Sequence, residues 1–198
     1  MMSSKNLETR NRILESTWRL LEAGAGNAVR MSDIAKEAGI SRQAVYLHFP
    51  KRADLLVATT RYLDEVKNVD ARLEASRSAT SGPDRLDKFI EAWGNYIPEI
   101  FGVAKALLAM KDTDQEADLA WKDRMQAVRH GCEAAVNELV QDGLLTSNLT
   151  SEQATDLLWT MLSIRNWEQL IVECGWSQVQ YISLLQASAR RMLVSGGT

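Results

Sequence analysis

Residues 30–56 read RMSDIAKEAGISRQAVYLHFPKRADLL, and this stretch decides the fold. Ile34 and Ala38 place apolar groups on one helical face, and Gly39 follows where a left-handed backbone would end that helix. Glycine adopts this conformation without steric cost. Ser41 can then cap a second helix, because its hydroxyl can accept a hydrogen bond from a free backbone N–H group. The stretch therefore predicts two short helices joined by a tight turn.

The second of these helices is predicted over residues 42–49, because Pro50 disfavours a helical conformation in the residue before it. Val45 and Phe49 lie one turn apart and are predicted to face inward. The outward face then carries Arg42, Gln43, Tyr46 and Leu47. Arginine can bind the O6 and N7 atoms of guanine, glutamine can pair with adenine, and leucine can contact the thymine methyl group. The pattern predicts a helix-turn-helix whose second helix reads DNA in the major groove.

The stretch also resembles the DNA-binding segment of the tetracycline-repressor (TetR) family of bacterial regulators, through Ala-Gly-Ile-Ser followed by Tyr-x-His-Phe-Pro. The resemblance covers about the first quarter of the chain. It implies base or sugar-phosphate contacts from the outward face of the second helix and phosphate contacts from His48 and Arg52. Arg30 stands where the family usually has Thr or Ser, and Lys51 replaces a small polar cap; both would strengthen phosphate binding. The predicted DNA-binding residues are Arg30, Ser32, Ser41, Arg42, Gln43, Ala44, Tyr46, Leu47, His48, Lys51 and Arg52.

The charge of the chain is divided unevenly between its two ends. Of the 198 residues, with a net charge of −3, residues 1–52 hold nine Lys and Arg against five acids, a net of +4. Residues 53–198 hold 14 basic and 21 acidic residues, a net of −7. A basic head on an acidic body suits a protein that touches nucleic acid with one end. We therefore predict a DNA-binding domain over residues 1–52 and a helical ligand-binding and dimerisation domain over residues 53–198.

The pattern along the rest of the chain is helical, and no window shows the alternation of a strand. The first helix is expected over residues 8–23, ended by Gly24–Gly26, and a long helix without Gly or Pro runs from Lys51 through Val69. Further helices are expected over residues 84–101, kinked or shortened at Pro98, and over residues 103–110, 116–142, 151–173 and 177–194. The fold class is all-α, with about nine helices.

The last two predicted helices are apolar on more than one side. Six side chains of the first of them cannot all face one core: Trp159, Met161, Leu162, Ile164, Trp167 and Leu170. An exposed patch of this size indicates a partner, and TetR-family bodies usually pair their last two helices with those of a second subunit. We therefore predict a homodimer. The alternative explanation of these apolar faces is a single central helix buried within one subunit.

Signatures of enzymes, metal sites and export are weak. The two histidines, His48 and His130, have no evident catalytic partner, and there is no phosphate loop, nucleophile elbow or zinc spacing. The acids at residues 112, 114, 116 and 118 alternate as in a calcium loop, but Ala117 stands where that loop needs glycine. We expect no catalytic residue, metal or cofactor. With two distant cysteines, no apolar run long enough to span a membrane and no signal peptide, we expect a cytoplasmic protein.

The body is rich in large aromatic and methionine side chains, which can line an apolar pocket or form ordinary core. Asn95, Asn166 and Arg165 are candidate polar anchors; a cation in so apolar a helix needs an acidic partner from the protein or from a ligand. The predicted ligand-binding residues are Trp93, Tyr96, Ile97, Met110, Trp121, Met125, Trp159 and Arg165.

These features predict a homodimeric, ligand-responsive transcription regulator, most often a repressor in the family it resembles. Its partners would be a near-palindromic double-stranded operator and a small, mainly apolar effector. The first alternative is a helical protein-interaction module without DNA binding, which salt dependence would distinguish. The second is a hydrolase or metal enzyme built on the acid cluster.

Overall fold

The computed structural model describes residues 4–24 and 29–196, and within them the chain is all-α, as predicted. Leu145 and Val194 form an isolated antiparallel bridge, and these ranges contain no strand. No helix within them is long and apolar enough to cross a membrane. The helices are α1 (Ser4–Ala23), α2 (Met31–Glu37), α3 (Arg42–His48), α4 (Arg52–Val66), α5 (Val69–Arg77), α6 (Gly82–Met110), α7 (Gln115–Gln141), α8 (Ser151–Met161), α9 (Ile164–Trp167) with a π-helical extension (Glu168–Glu173), and α10 (Gln178–Leu193).

The prediction of one uninterrupted helix from Lys51 through Val69 is wrong. Helix α4 ends at Val66, and Asn68 adopts a left-handed backbone with φ of 54° before α5 begins. Asparagine enters this region more readily than other residues with a Cβ, because its short polar side chain can form local hydrogen bonds. A left-handed residue cannot continue a right-handed helix, so the chain restarts as a separate helix.

Pro98 does not shorten the helix predicted over residues 84–101, because α6 runs through it for 29 residues. The separate helix predicted over residues 103–110 is wrong, since that segment is the end of α6. A proline inside a helix leaves the carbonyl four residues earlier without its usual N–H donor. Here that carbonyl belongs to Gly94, and the side-chain amide of Gln178 donates to it at 2.6 Å. The indole Nε1 of Trp167 in turn donates to Gln178 Oε1 at 3.0 Å. A side chain from α10 thus replaces the missing backbone hydrogen bond.

The predicted helix over residues 151–173 is divided into α8 and α9. Ser163 has an extended backbone and accepts a hydrogen bond from Asn166 N at 3.2 Å, so it caps a new helix. Trp93 Nε1 donates to Leu162 O at 2.8 Å, which satisfies a carbonyl at the end of α8. If α8 and α9 are counted as one broken helix, residues 4–24 and 29–196 contain nine helices, which agrees with the expected number. Thr150 caps α8 and forms a capping box with Gln153.

The chain forms two compact units, and the first comprises residues 1–67 and 100–124. In this unit α1 packs on α2 and α4, and α2 packs on α3. Helix α1 ends at Ala23, and Gly24, the first residue of the predicted Gly24–Gly26 stop, follows directly. Residues 25–28 lie outside the described part of the chain. The largest fully buried side chains of this core are Ile13, Leu14, Leu21, Ile34, Leu55, Leu56 and Leu107.

The second unit comprises residues 68–99 and 125–198. Gly94 marks a close approach of α6 to α10, since a Cβ atom at Gly94 would lie 2.8 Å from Ile182 Cγ1. The fully buried side chains of this unit include Leu86, Ile90, Ile97, Leu139 and Tyr181. The boundary between functional domains at residues 52 and 53 stays a prediction.

Candidate nucleic-acid interface

The turn between α2 and α3 has the predicted local geometry. Gly39 has φ of +65°, a left-handed conformation that favours glycine. The Ser41 hydroxyl accepts from Ala44 N at 3.1 Å and caps α3. At the start of α2, Arg30 occupies the cap position, and its backbone N–H donates to Asp33 Oδ2 at 3.3 Å. Asp33 thereby satisfies the N–H group at a helix start that lacks Ser or Thr.

Helix α3 is amphipathic in the predicted sense. Val45 and Phe49 are buried in the core of the first unit and fix the inward face. On the outward face Leu47 is 80% exposed and Tyr46 is 38% exposed. A leucine this exposed adds nothing to the core of its own subunit. Arg42 and Gln43 are exposed on the same helix, so α3 presents a cation, an amide, a phenol and an apolar side chain to solvent.

Arg42 and Tyr46 interact with each other on this outward face. They are four residues apart, which places their side chains on adjacent turns. Arg42 Nη2 donates to the Tyr46 hydroxyl oxygen at 3.2 Å. The Arg42 guanidinium carbon also lies 5.5 Å from the centre of the Tyr46 ring, within the range of a cation–π contact. Spacing alone permitted this pairing but did not identify it.

The structure places Arg52 differently from the other predicted DNA-binding residues. Its side chain is 13% exposed and forms ion pairs with Asp114 at 2.8 Å and Glu116 at 3.1 Å. Arg52 Nε donates to the carbonyl oxygen of Val29 at 2.6 Å. A guanidinium with these partners holds the start of α4 to the start of α7. Phosphate binding by Arg52 stays a prediction.

The remaining predicted DNA-binding residues lie on or beside α2 and α3. His48 and Ala44 are half-buried on α3, whereas Ser32, Arg30 and Lys51 are exposed. The Arg10 guanidinium of α1 lies 5.0 Å from the centre of the Phe49 ring. The candidate surface therefore consists of the outward side of α3 and the exposed side chains at the ends of the neighbouring helices.

The acids at residues 112, 114, 116 and 118 lie at the start of α7, and Asp114 has a structural role in the first unit. Asp114 Oδ1 accepts from the backbone N–H groups of Glu116 at 3.1 Å and Ala117 at 3.2 Å, which caps α7. Burial raises the pKa of Asp114, but the hydrogen bonds from Arg52 and from these N–H groups outweigh it, so the pKa lies below its ordinary value. Among the described residues no group of three or more His, Cys, Asp or Glu side chains could hold a metal ion.

The predicted ligand-binding residues divide between the two units. Met110 and Trp121 belong to the first unit, and the other six belong to the second. Within the second unit Trp93 and Tyr96 are buried, with ring centroids 6.1 Å apart in an edge-to-face arrangement, and Ile97 is fully buried on the same helix. Met125 and Trp159 are half-buried. Their role in ligand binding stays a prediction.

The argument that Arg165 needs an acidic partner does not hold, whereas the roles of Arg165, Asn166 and Asn95 in ligand binding stay predictions. Arg165 is exposed to solvent, so its charge does not need a buried acidic partner. The Asn166 side-chain amide donates to Thr160 O at 2.7 Å and therefore helps to satisfy the last carbonyls of α8. Asn95 is also exposed. Helix periodicity placed these residues in an apolar segment without showing that the segment would break at Leu162.

Comparison with known proteins connects this surface to bacterial regulators. Residues 13–59, from α1 into α4, match the family described as "Bacterial regulatory proteins, tetR family". The nucleoid occlusion factor SlmA of Marinomonas sp. (strain MWYL1) is 32% identical over 85 residues, which cover 37% of this chain and 43% of that protein. The chain therefore matches less than half the length of this relative.

Two further proteins are similar over most of their length. The HTH-type transcriptional regulator CymR of Pseudomonas putida is 23% identical over 169 residues, which cover 82% of this chain and 81% of CymR. The transcriptional regulator FadR of Bacillus subtilis, whose structure was solved in complex with stearoyl-CoA, superposes with a TM-score of 0.73. That superposition covers 91% of this chain and 97% of FadR at 13% sequence identity, which shows a shared fold.

Proposed function

We propose that this chain, whose residues 13–59 match the TetR family of bacterial regulatory proteins, binds a near-palindromic DNA operator as a homodimer and acts as a repressor. A small, mainly apolar effector would release it. In this proposal α3 enters the major groove, and two copies of α3 meet successive grooves about 34–36 Å apart.

The observation that carries the DNA-binding part is the outward face of α3. Its inward face is fixed by Val45 and Phe49, so its backbone position is set by the core. The opposite side exposes Arg42, Gln43 and Leu47, whose groups match the acceptors, donors and methyl groups of base edges. A rigid helix with such a face needs little rearrangement to dock, which favours selective binding.

The dimer part is supported by apolar side chains exposed on the packed pair α8 and α10. Leu157 of α8 is 38% exposed, and on α10 Val179 is 74%, Leu184 41% and Met192 38% exposed. Burying such a surface against a second copy would gain about 25 cal/mol for each Å² of apolar area. A two-fold interface on these helices suits a two-fold operator.

The effector part rests on the aromatic side chains of α6 in the second unit and on the FadR likeness. FadR was solved with stearoyl-CoA, a ligand with a long apolar chain. Trp93 and Tyr96 offer apolar faces for a ligand of that character. An effector can shift the DNA-binding equilibrium only through unequal affinity for the bound and free conformations. To shift the ratio of two conformations from 1:99 to 99:1, the effector must bind the favoured conformation more tightly by about 5.5 kcal/mol.

The proposal is tested by selecting binding sites from random DNA with the purified protein and then with Arg42→Ala and Gln43→Ala. Both variants should lose operator selection while keeping the helical circular dichroism spectrum and molecular mass of the wild type. Arg77→Ala, which removes a 49% exposed arginine from α5, is the matched control and should select the same sites. Affinity for the selected operator should also fall steeply with rising salt. Affinity that depends on neither salt concentration nor DNA sequence would favour the alternative of a protein-interaction module.

A further inference from the structure

The pairing of Arg42 with Tyr46 restricts the long Arg42 side chain on the outward face of α3. The phenol oxygen accepts from Arg42 Nη2 at 3.2 Å, and the ring lies 5.5 Å from the guanidinium carbon. The guanidinium thus contacts both the hydroxyl and the ring of Tyr46. The guanidinium is therefore oriented before any DNA arrives, and less side-chain freedom remains to be lost on binding.

The pairing leaves most of the guanidinium available. An arginine carries five N–H donors and no acceptor, and Tyr46 occupies a single donor. Guanine presents two adjacent acceptors, O6 and N7, in the major groove. Adenine presents N7 beside an N6 amino donor, which a guanidinium cannot satisfy because it has no acceptor. An oriented guanidinium at this edge of α3 thus discriminates in favour of guanine.

We propose that Tyr46 is a positioning residue that holds Arg42 to read one guanine in each operator half-site. This inference rests on the proposed DNA-binding function and adds the base that is read and the residue that sets the specificity. Tyr46 acts through Arg42, so its hydroxyl governs base preference more than total affinity. The contrasting role for this hydroxyl is a direct contact with the DNA phosphate, which would carry no sequence information.

The test uses the full chain, its selected operator and fluorescence anisotropy. The wild type should select guanine at one fixed position of each half-site. Replacing that base by 7-deazaguanine, which removes the N7 acceptor but keeps base pairing, should weaken wild-type binding by about tenfold. Arg42→Ala should be insensitive to the replacement. Tyr46→Phe, which keeps the ring and removes the oxygen, should lower the guanine preference by about fivefold, the effect of one hydrogen bond.

The matched control is Tyr62→Phe, which removes a hydroxyl that contacts Glu15 at 2.9 Å and lies outside α3. It should leave base preference unchanged. If Tyr46→Phe instead weakens binding to all sequences equally, the hydroxyl is a phosphate contact and the proposal is overturned. An unchanged guanine preference in Tyr46→Phe, or a 7-deazaguanine effect that persists in Arg42→Ala, also overturns it. A wild type that binds no DNA would overturn the proposed function itself.

Discussion

Arg52 shows how one side chain can hold two distant segments together. Its guanidinium pairs with Asp114 and Glu116 and donates to the Val29 carbonyl, and the Arg52 side chain is 13% exposed. Arg52→Ala leaves these acceptors poorly satisfied, so the free energy of unfolding should fall by about 1–3 kcal/mol. Urea denaturation measures this change. Arg61→Ala is the control, because Arg61 pairs with Asp123 but is 59% exposed, and it should cost less than about 1 kcal/mol. Equal losses in the two variants would contradict a structural role specific to Arg52.

Asp114 makes the same network sensitive to acid. Because the folded-state pKa of Asp114 lies below its ordinary value, its charge contributes stability above the unfolded pKa of about 3.9. That contribution is lost as the pH falls through the folded pKa. Asp114→Asn should therefore be less stable than the wild type at pH 7, and the difference should shrink below pH of about 4. Urea denaturation across this range tests the prediction. Asp112→Asn, at a side chain 72% exposed, is the control and should lower the free energy of unfolding at pH 7 by less than Asp114→Asn does.

The sequence identified the capping residue Ser41 and the inward face of α3 because these depend on neighbours within one or two turns. It did not identify the partners of Arg52, which lie 62 and 64 positions along the chain. The sequence showed the acids at residues 112, 114, 116 and 118 but, for the same reason, not that two of them pair with Arg52. Pairings between distant segments depend on the packing of whole helices, which local periodicity does not encode.

At the scale of the element, α6 depends on a side chain from another helix. Pro98 removes the donor for the Gly94 carbonyl, and Gln178 supplies one at 2.6 Å. Gln178→Ala should lower the free energy of unfolding by about 1–3 kcal/mol, since it leaves a buried acceptor unpaired and also removes the acceptor for Trp167 Nε1. The loss is measured by chemical denaturation.

A double-mutant cycle separates these two contributions. Pro98→Ala restores a backbone N–H four residues after Gly94, so Gln178→Ala should cost roughly 1 kcal/mol less in that background. The remaining cost then belongs to Trp167. Strict additivity of the two substitutions would mean that Gln178 does not compensate for the proline.

The errors in predicting elements share a physical origin. The break at Asn68 and the break between α8 and α9 occur in segments of strong helical periodicity that contain neither Gly nor Pro. Periodicity reports which residues can share a face, whereas a break depends on residues such as Asn68 and Ser163 that can leave the helical conformation when tertiary contacts favour it. The existence of every helix except α5 was therefore predicted, whereas helix continuity was not.

At the scale of the whole molecule, the proposed function requires two copies of the chain. Leu184, 41% exposed on α10, is the position at which to test the proposed interface. Leu184→Glu places a charge where two apolar surfaces would meet, so light scattering during size-exclusion chromatography should show half the wild-type mass. Operator affinity should fall by about 100-fold or more, because two linked heads bind far more tightly than one. The matched control is Leu119→Glu, at a leucine of α7 that is 51% exposed and belongs to the first unit. It should keep the wild-type mass and affinity, and a wild-type mass for Leu184→Glu would place the dimer contact elsewhere.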